Sequence, residues 1–452
     1  MNIVFYSNNS NYFDSQTFFI NTVPTWHEQF ELLQKNHPQN TFFAVTQSPG
    51  MFLTSSDDDV SSRKNLILYD TDDTDEIASI IKKLNPDIAI ALSFWTVPYD
   101  WLPIKDSLIG EKLKQSGIKV ICQPLETTML CFNKQETHAF FEKNNIPCAK
   151  ALFVNHDLYF SANSKKEVRY NVYKEAVLRK LEQMKLPLII KDPLGLSSYG
   201  MQVVNTLGEA RAYLNSRKNN SDRIVEEYIS GEQFGCEIYS SGNGNYVILP
   251  PFKFSVNQYG ITSPKQSVKF GPLFTKEDYD KYKLQDLYQM LTLLAEKLKL
   301  CGVAQVDLVF DGENWFVIEV NPRLSGMTTA YWCAYKVMTF YDYILSMLSV
   351  ISKSTIPVIS VIDTEISYTL NIKFPLLSRS DIEKLSKFEG VSFICQTEDK
   401  AARQERETGY CEVIISGKTK EDVLSTLSVI EKDFPEIIEP VFFETAKKMI
   451  LK

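Results

Sequence analysis

Residues 303–321 constrain the fold more than any other stretch of this chain, because two alternating runs flank a turn signal. Val303–Phe310 and Trp315–Asn321 each alternate in polarity, and Asp311–Asn314 between them reads Asp-Gly-Glu-Asn. Alternation on both sides of a glycine-containing turn predicts a β-hairpin.

Polar residues of this hairpin are expected to gather on one face, since every second side chain of a strand shares a face. Asp307 would then lie near Glu319 and Asn321, and Val317 would share the face of those two. Two carboxylates and an amide oxygen are costly to hold together without a cation. Oxygen ligands of this kind suit Mg²⁺, which often bridges to phosphates. With the planar fork of Arg323 beside them, these residues predict a Mg²⁺–nucleotide platform.

Length and composition place the chain among multidomain globular proteins. It has 452 residues, enough for two to four domains, and a formal net charge of −8. That charge gives no general attraction to nucleic acid or to an anionic membrane. The N-terminus lacks the pattern of a signal peptide, and the apolar stretch 335–351 is too short to span a membrane. Eight scattered cysteines fit reduced thiols in a cytoplasmic protein.

The first 125 residues alternate strand-like and helix-like segments, which is typical of an open, largely parallel α/β sheet. No G-x-G-x-x-G occurs there, so the pattern gives no reason to expect NAD. Residues 351–452 carry the signals of a small α+β domain. The strand-like runs of the first segment are Asn2–Tyr6, Thr41–Thr46, Asn65–Tyr69, Asp87–Leu92 and Lys119–Gln123.

Candidate phosphate-binding residues lie between the N-terminal segment and the C-terminal segment. Leu186–Lys191 is a short apolar strand that ends in a lysine, and the small residues of 195–200 follow it. Small residues allow backbone N–H groups to close on phosphate oxygens. Taken alone, the same stretch fits a plain hairpin with a surface lysine, and Lys134, early in a predicted helix over 127–144, fits a surface lysine as well. The loop 252–271, with its three lysines, is expected to face a substrate.

The order of four such signals resembles the ATP-grasp superfamily over about residues 126–350. The likeness is greatest to the branch that biotin carboxylase, carbamoyl-phosphate synthase and the L-amino acid ligases share. The four signals are Asn133-Lys134 at the head of a helix that ends at Ile146-Pro147, Pro187–Lys191 with its loop to Gly200, Glu226–Gly231, and Asp307 with Glu319-Val320-Asn321-Pro322-Arg323.

This resemblance implies an α/β and α+β multidomain architecture. An N-terminal Rossmann-like (pre-ATP-grasp) domain would cover 1–125, the ATP-grasp domain 126–350, and a small α+β domain 351–452. Within the ATP-grasp domain, 126–186 would be a linker subdomain, 187–230 the lid over ATP, and 231–350 the metal and substrate subdomain.

The resemblance also implies roles for particular residues. Two Mg²⁺ ions, or Mn²⁺ in their place, would be held by Asp307, Glu319 and Asn321. Arg323 and Lys191 would act in catalysis, while Glu237, Lys269 and Arg323 would face the substrate. ATP would be bound by Lys134, Lys191, Gly195, Ser197, Ser198, Gly200, Glu226, Glu227, Tyr228, Ile229 and Gln233. Gln233 departs from the family, which often has an acid there, although an amide also hydrogen-bonds hydroxyl groups.

The activity that the resemblance implies is ATP-dependent joining of a small-molecule carboxylate, an amino acid or short peptide, to an amine. Two alternatives remain open: a bicarbonate-activating carboxylase or carbamoyl-phosphate type of enzyme, and a catalytically silent ATP-binding regulator. A homodimer is expected by analogy with the family, and neither nucleic acid nor a membrane is expected as a partner. Tyr259, Trp332 and Tyr335 either line an apolar substrate pocket or pack in the core.

Overall fold

The computed structural model describes most of the chain. The described residues are 1–8, 17–19, 26–47, 65–94, 100–162, 166–194, 201–259, 267–350, 366–375, 377–397, 410–434 and 440–451. In this part of the chain, no helix combines the length and the apolar character needed to cross a membrane. All eight cysteines fall within it and are free thiols.

A parallel sheet forms the N-terminal unit, as its alternating pattern predicted. The elements are β1 (Asn2–Ser7), β2 (Thr17–Phe19), α1 (Trp26–Asn36), β3 (Thr41–Gln47), β4 (Leu66–Tyr69), α2 (Thr74–Lys82), β5 (Ile88–Ala91), α3 (Leu102–Gln115) and β6 (Lys119–Ile121). Five strands pair in the order β4-β3-β1-β5-β6, and every pairing is parallel. Strand β1 is central and buried on both faces, which explains its nearly continuous apolar sequence.

A four-stranded antiparallel sheet forms the second unit, in the order β7-β10-β8-β9. Its elements, with the two helices that precede it, are α4 (Leu125–Phe132), α5 (Lys134–Lys143), β7 (Ala151–Val154), α6 (His156–Phe160), α7 (Val172–Leu181), β8 (Leu188–Lys191), β9 (Gln202–Val204), α8 (Leu207–Leu214) and β10 (Arg223–Glu227). Because β7 pairs with β10, this sheet begins well ahead of residue 187, where the lid was predicted to begin.

The largest sheet contains the predicted hairpin. The elements of the third unit are β11 (Glu232–Ser240), β12 (Val247–Ile248), β13 (Phe252–Phe254), β14 (Val268–Gly271), α9 (Lys276–Lys281), α10 (Leu284–Leu298), β15 (Gly302–Phe310), β16 (Trp315–Asn321), α11 (Thr328–Tyr335) and α12 (Phe340–Met347). Strands β15 and β16 are antiparallel neighbours, so the hairpin prediction is confirmed. Strand β15 also pairs with β11 along nine residues.

The C-terminal strands extend this same sheet. The elements are β17 (Tyr368–Pro375), α13 (Arg379–Leu385), β18 (Val391–Thr397), β19 (Tyr410–Gly417), α14 (Lys420–Asp433) and α15 (Pro440–Leu451). The sheet runs β16-β15-β11-β13-β14-β17-β19-β18-β2, with β12 at the side of β11. The predicted 351–452 unit therefore shares a continuous sheet with the metal subdomain, because β14 pairs with β17.

Three helical stretches of the chain are each divided into two helices. The predicted helix over 127–144 is broken at Asn133 between α4 and α5, where the backbone is extended at φ −103° and ψ 108°. The stretch 276–298 is divided between α9 and α10, and the stretch 328–347 between α11 and α12. In each case a capping residue begins the second helix or a left-handed residue separates the pair, and side-chain periodicity does not reveal such local breaks.

A β-bulge corrects the predicted faces of the hairpin. Leu308 lies opposite Val317, but Asp307 lies opposite Glu319, so Ile318 is an extra residue in β16. The expectation that Val317 shares a face with Glu319 and Asn321 is therefore wrong. Val317 packs in the apolar core with Leu308, because the bulge switches the alternation between residues 317 and 319.

Candidate active site

The carboxylates predicted to bind metal are brought together by strand pairing. Asp307 and Glu319 are direct neighbours across β15 and β16, and Asn321 is opposite Gln305. All of these residues are half-buried and lie on the face opposite the Leu-rich core beneath the sheet. The hairpin thus presents two carboxylates and an amide side by side, as the alternation predicted.

Neighbouring side chains hold each of these three groups in place. Gln305 Nε2 donates to Asp307 Oδ1 at 2.6 Å, and Arg323 Nη2 donates to Asn321 Oδ1 at 3.2 Å. Lys134 Nζ lies 3.0 Å from Glu319 Oε1. These contacts fix the orientation of the three candidate ligands. In each of the two carboxylates, one of the two oxygens makes the contact.

The electrostatics of the pair favour a bound cation. Burial, together with the negative charge of Glu319, raises the pKa of Asp307 to about 6. Burial also disfavours the charged form of Glu319. This effect is outweighed by the positive charges of Lys134, Lys191 and Arg323, so the pKa of Glu319 lies below its ordinary value. A divalent cation between the two carboxylates would remove the repulsion that raises the pKa of Asp307.

The donor set fits a hard metal ion. Among the described residues, no three or more His, Cys, Asp and Glu side chains assemble as a closed metal site. An open set of two carboxylates and one amide suits Mg²⁺, which keeps several water or phosphate ligands. Asp307, Glu319 and Asn321 are therefore the residues that would hold it.

Lys134 reaches this site because of the helix break at Asn133. Asn133 caps α5 by accepting a hydrogen bond from the Gln135 backbone N–H at 2.9 Å. The break makes Lys134 the first residue of α5, and its own N–H donates to the carbonyl oxygen of Pro193 at 2.9 Å. The start of α5 is thereby tied to the segment that follows β8, and Lys134 points at Glu319 rather than at solvent.

Lys191, at the end of β8, forms a mostly buried ion pair. Its Nζ lies 2.8 Å from Glu226 Oε2, with side chains 10% and 12% exposed. Lys191 also contributes to lowering the pKa of Glu319, so its charge acts on the metal face. An anionic phosphate arriving here would compete with Glu226 for this lysine.

The segment that was expected to contact adenine follows directly. Glu226 pairs with strands on both sides, and the pairing ends at Glu227. Glu227 Oε1 accepts from the Lys185 N–H at 3.0 Å, and the Tyr228 N–H donates to Pro187 O at 3.0 Å. Ile229 lies beyond the end of this pairing, where β10 passes toward β11.

Gln233 lies on the metal face, because β11 runs beside β15. Gln233 is opposite Val309, Gly235 is opposite Asp307, and Glu237 is opposite Gln305. A side chain at Gly235 would overlap the ring of Phe254, so only glycine fits at this close approach. The candidate ribose contact and the carboxylate pair therefore share one face. Gly195, Ser197, Ser198 and Gly200, the predicted loop over the phosphates, lie outside the described residues.

Arg323 is held from the N-terminal unit. Its Nε donates to Asp100 Oδ2 at 2.6 Å, and the two side chains are 8% and 15% exposed. Burial raises the pKa of Asp100 even though the Arg323 guanidinium opposes that shift. Asp100 Oδ1 is buried without a hydrogen-bond partner among the described residues. A residue 223 positions away in sequence therefore orients the predicted catalytic arginine.

Glu237, which was expected to face the substrate, is fully buried. Its Oε1 accepts from the hydroxyls of Ser325 at 2.7 Å and Thr328 at 2.6 Å, and its Oε2 accepts from Tyr239 at 2.6 Å. Burial raises its pKa, although these hydroxyl groups oppose the shift. Glu237 thus ties the turn that follows Arg323 to strand β11.

Lys269 is half-buried on β14 and lies beside the same turn. A Cβ placed on Gly326 would be 3.3 Å from Lys269 Nζ, and that Nζ lies 5.5 Å from the centroid of the Phe254 ring. Burial, together with the positive charge of Lys373, lowers the pKa of Lys269 to about 8. The predicted substrate-facing lysine therefore lies close to the loop that carries Arg323.

A family model matches a part of the chain that carries much of this site. Residues 156–344 match the model described as the D-ala D-ala ligase C-terminus. The match contains Lys191, Asp307, Glu319 and Arg323, whereas Asp100 and Lys134 precede it. This part of the chain is therefore similar to the D-ala D-ala ligases.

Solved structures have the same fold as this chain over nearly their whole length. Phosphoribosylglycinamide synthetase from Anaerococcus prevotii superposes with a TM-score of 0.60 at 15% identity, covering 96% of this chain and 98% of that one. The L-amino acid ligase from Bacillus licheniformis also gives 0.60, at 14% identity, covering 96% and 97%. At such identities the likeness shows the fold alone.

A curated relative matches about half of the chain by sequence. The carbamoyl phosphate synthase large chain of Clostridium acetobutylicum is 26% identical over 222 residues, which are 48% of this chain and 18% of that protein. The chain therefore spans about a fifth of the length of this relative.

Several residues of the candidate site were not found from the sequence. Asp100 carries no local signal, because only tertiary structure brings it to Arg323. The hydrogen bond that Gln305 donates to Asp307 was not expected either. Of the aromatic candidates, Trp332 is 2% exposed and Tyr335 packs against the same core cluster, which favours core packing for both. Tyr259 is half-buried outside that cluster.

Proposed function

We propose that the protein is an ATP-dependent ligase that joins a small-molecule carboxylate to an amine through an acyl phosphate, with release of ADP and phosphate. The family match and the name of the L-amino acid ligase with the same fold support this proposal. An amino acid or a short peptide is the proposed carboxylate.

One observation carries the proposal. The carboxylate pair Asp307–Glu319 lies within the charge field of Lys134, Lys191 and Arg323. Phosphoryl transfer requires anionic oxygens that can hold a metal, with cations beside them that can face phosphate oxygens. A protein that only binds nucleotide has less need of the paired carboxylates.

Each side chain has a defined role in the proposed reaction. Mg²⁺, when bound by Asp307, Glu319 and Asn321, would neutralise charge between the β- and γ-phosphates. Lys134 and Lys191 would oppose the negative charge on the phosphate oxygens, and the fork of Arg323 would orient the phosphoryl group or the substrate carboxylate.

The proposed reaction balances in two steps. A carboxylate oxygen attacks the γ-phosphorus, the bond from that phosphorus to the β-phosphate oxygen breaks, and ADP leaves. The amine nitrogen then attacks the acyl carbon, phosphate leaves, and the nitrogen loses a proton as the amide forms. Exclusion of water from the site would protect the acyl phosphate from hydrolysis.

A second candidate is activation of bicarbonate instead of an organic carboxylate. The sequence match to the carbamoyl phosphate synthase large chain favours it, although that match covers 18% of the relative. The two candidates share the ATP site and differ only in the carboxylate that accepts the phosphoryl group.

The test is phosphate release with Mg²⁺-ATP across a matrix of amino acids, short peptides, bicarbonate and amines. We expect ADP and phosphate only when a carboxylate and an amine are both present, and loss of about 10²-fold or more in Glu319→Ala. Glu313→Ala, in the exposed turn of the same hairpin, is the matched control and should keep full activity. Release that requires bicarbonate would favour the second candidate. ATP binding without release in any combination would contradict both.

A further inference from the structure

Asp100, in the connection between β5 and α3, uses only one of its two carboxylate oxygens. Its Oδ2 accepts a hydrogen bond from Arg323 Nε at 2.6 Å. Its Oδ1 is buried and has no hydrogen-bond partner among the described residues. Because the side chain as a whole is 15% exposed, the carboxylate is not sealed within a core. One acceptor of this group is therefore open to a donor from outside the protein.

Arg323 does not supply the missing hydrogen bond. Its Nη1 donates to Leu324 O at 3.1 Å, and its Nη2 donates to Asn321 Oδ1 at 3.2 Å. A guanidinium often binds both oxygens of a carboxylate through two parallel hydrogen bonds. Here both Nη atoms instead donate to the segment that carries the candidate metal ligand Asn321, so the fork meets Asp100 through Nε alone.

The open oxygen lies beside the proposed ATP and metal site. Burial raises the pKa of Asp100. The charges that also act on it are those of Arg323, Glu319 and Lys134, which belong to that site. A buried carboxylate oxygen without a donor destabilises the folded protein, because it has lost its hydrogen bonds to water. Such exceptions are rare in folded proteins, and a functional group at an active site is one reason for them.

The position of Asp100 in the N-terminal sheet independently indicates a ligand. In an open parallel sheet, ligands bind beyond the carboxyl ends of the strands, at the point where the strand order reverses. In the order β4-β3-β1-β5-β6 this point is between β1 and β5, because β3 and β4 lie on one side of β1 and β5 on the other. Asp100 follows β5 and precedes α3, so it belongs to this edge of the sheet.

The open oxygen requires a hydrogen-bond donor, because an ionised carboxylate only accepts. The phosphates of ATP and the substrate carboxylate offer acceptor oxygens and carry negative charge, so neither suits it. The donors of adenine and ribose are proposed to lie at 226–233, on β10 and β11. Of the reactants in the proposed ligase reaction, the amine alone brings an N–H group to the reacting centre.

We infer that Oδ1 of Asp100 accepts a hydrogen bond from the N–H group of the amine substrate and so forms the amine subsite. The inference rests on the proposed function and deepens it, because it assigns recognition of the amine to the N-terminal unit. Through its two oxygens, Asp100 would connect the amine to Arg323, which is proposed to orient the phosphoryl group or the substrate carboxylate. The attacking nitrogen would thereby be held beside the group that it attacks.

The experiment compares the wild type with Asp100→Asn in the full-length protein. The amide oxygen would keep the place that faces Arg323, with a weaker hydrogen bond, so the NH₂ group would replace Oδ1 and could not accept from the amine. Phosphate release is measured with Mg²⁺-ATP and each active carboxylate over a range of concentrations of ammonia, methylamine, hydroxylamine and glycine amide. Binding of each amine to the complex with Mg²⁺-ADP is measured separately, from the rise in Tm that it causes.

We expect Asp100→Asn to raise the KM for the amine by about tenfold or more, the effect of losing a charge-assisted hydrogen bond. The KM for ATP should stay within about threefold of the wild-type value. Arg323→Lys is the comparison, because it disturbs the same ion pair but keeps Asp100. It should lower kcat and leave the KM for the amine within about threefold. The control Asp72→Asn, at an 87% exposed side chain of the same unit, should keep both constants.

Two outcomes of the kinetics would overturn the inference. An unchanged KM for the amine in Asp100→Asn, with a lower kcat, would limit Asp100 to holding Arg323. A change in the Mg²⁺ requirement in place of the KM for the amine would identify a metal-bound water as the donor. If Asp100→Asn does not fold, as judged by circular dichroism, a crystal structure of the wild type with Mg²⁺-ADP and methylamine decides. An amine nitrogen within about 3.2 Å of Asp100 Oδ1 supports the inference, and one bound elsewhere contradicts it.

Failure of the proposed function is recognised separately, as absence of phosphate release with every compound. The Tm measurements then test the subsite by themselves. A rise in Tm with an amine in the wild type that is absent in Asp100→Asn supports the subsite. No rise with any amine, or an equal rise in both proteins, overturns it.

Discussion

Among single residues, Asp106 in α3 shows how strongly burial changes a carboxyl group. It is 4% exposed, and its Oδ1 accepts hydrogen bonds from Ser93 Oγ at 2.7 Å and from Asn8 Nδ2. Burial raises its pKa to about 7, although both hydrogen bonds oppose the shift. The folded protein therefore favours the protonated form of this carboxyl group.

This shift predicts a pH-dependent stability. The pKa of Asp106 is higher in the folded state than in the unfolded state. Asp106 therefore contributes most to the unfolding free energy below the unfolded pKa of about 4, and this contribution is lost as the pH rises toward 7. Relative to Asp106→Asn, the wild type should lose up to about 1.4 kcal/mol of unfolding free energy per pH unit in that window. Urea unfolding at several pH values measures this difference.

The control for this prediction is Asp70→Asn, an exposed aspartate that follows β4. It should alter the unfolding free energy by the same amount at every pH. A constant difference between wild type and Asp106→Asn across the window would contradict the assignment of the titration to Asp106.

At the scale of residues, the sequence placed side chains on a common face better than it predicted their hydrogen-bond partners. Asp307, Glu319 and Asn321 were placed together from alternation alone, because the period of a strand is set by its backbone. The contacts of Glu237 with Ser325 and Thr328 were not predicted, since they join β11 to a turn almost ninety residues later.

Among the structural elements, the break between α4 and α5 is the one that positions a functional side chain. Asn133→Ala removes the cap of α5 and should cost about 1 kcal/mol of unfolding free energy. Because Lys134 follows directly, we expect the affinity for ATP to fall by up to about fivefold, the equivalent of that energy. Chemical denaturation and calorimetric titration with ATP measure the two effects.

Thr419→Ala is the matched control, because Thr419 also caps a helix with its side chain, but that helix, α14, does not carry Lys134 or Lys191. It should lower stability by a similar amount and leave ATP affinity unchanged. An Asn133→Ala variant that lost stability but bound ATP normally would show that the cap does not position Lys134.

At the scale of elements, periodicity predicted the five parallel strands and the hairpin, but it did not predict the interruptions. The bulge at Ile318 and the cap at Asn133 each involve one or two residues. Such features depend on which neighbouring strand or segment satisfies the backbone, and that information is not local.

For the whole molecule, the ion pair between Asp100 and Arg323 connects the N-terminal unit to the active site. Asp100→Asn should leave the guanidinium without its carboxylate and lower the unfolding free energy by about 1–3 kcal/mol. We also expect a lower kcat for phosphate release with little change in ATP affinity, because Arg323 would lose its orientation. Thermal unfolding and steady-state kinetics measure both effects.

The matched control is Asp72→Asn in the same unit. Asp72 also pairs with a basic residue, Lys105, at 2.7 Å, but its side chain is 87% exposed. Exposed pairs contribute little, so this variant should keep both stability and kcat. Equal kcat in wild type and Asp100→Asn would argue that Arg323 is positioned without Asp100.

Core packing also connects the units. Helix α12, which follows the active-site loop, packs on one face of the N-terminal sheet: Tyr341 lies 5.0 Å from Phe5 between ring centroids. His37 Nε2 lies 2.7 Å from Asp342 Oδ1 at the same contact. Helix α12 thus packs the segment that follows the Arg323 loop against the N-terminal sheet.

The sequence by itself determined the parallel N-terminal sheet, the hairpin and the common face of Asp307, Glu319 and Asn321, because strand periodicity and turn chemistry act over a few neighbouring positions. Only the tertiary structure decided which lysine reaches which carboxylate and that Asp100 holds Arg323. Those contacts depend on how separate segments pack. No local pattern encodes them, since burial and long-range pairing set both their geometry and their energy.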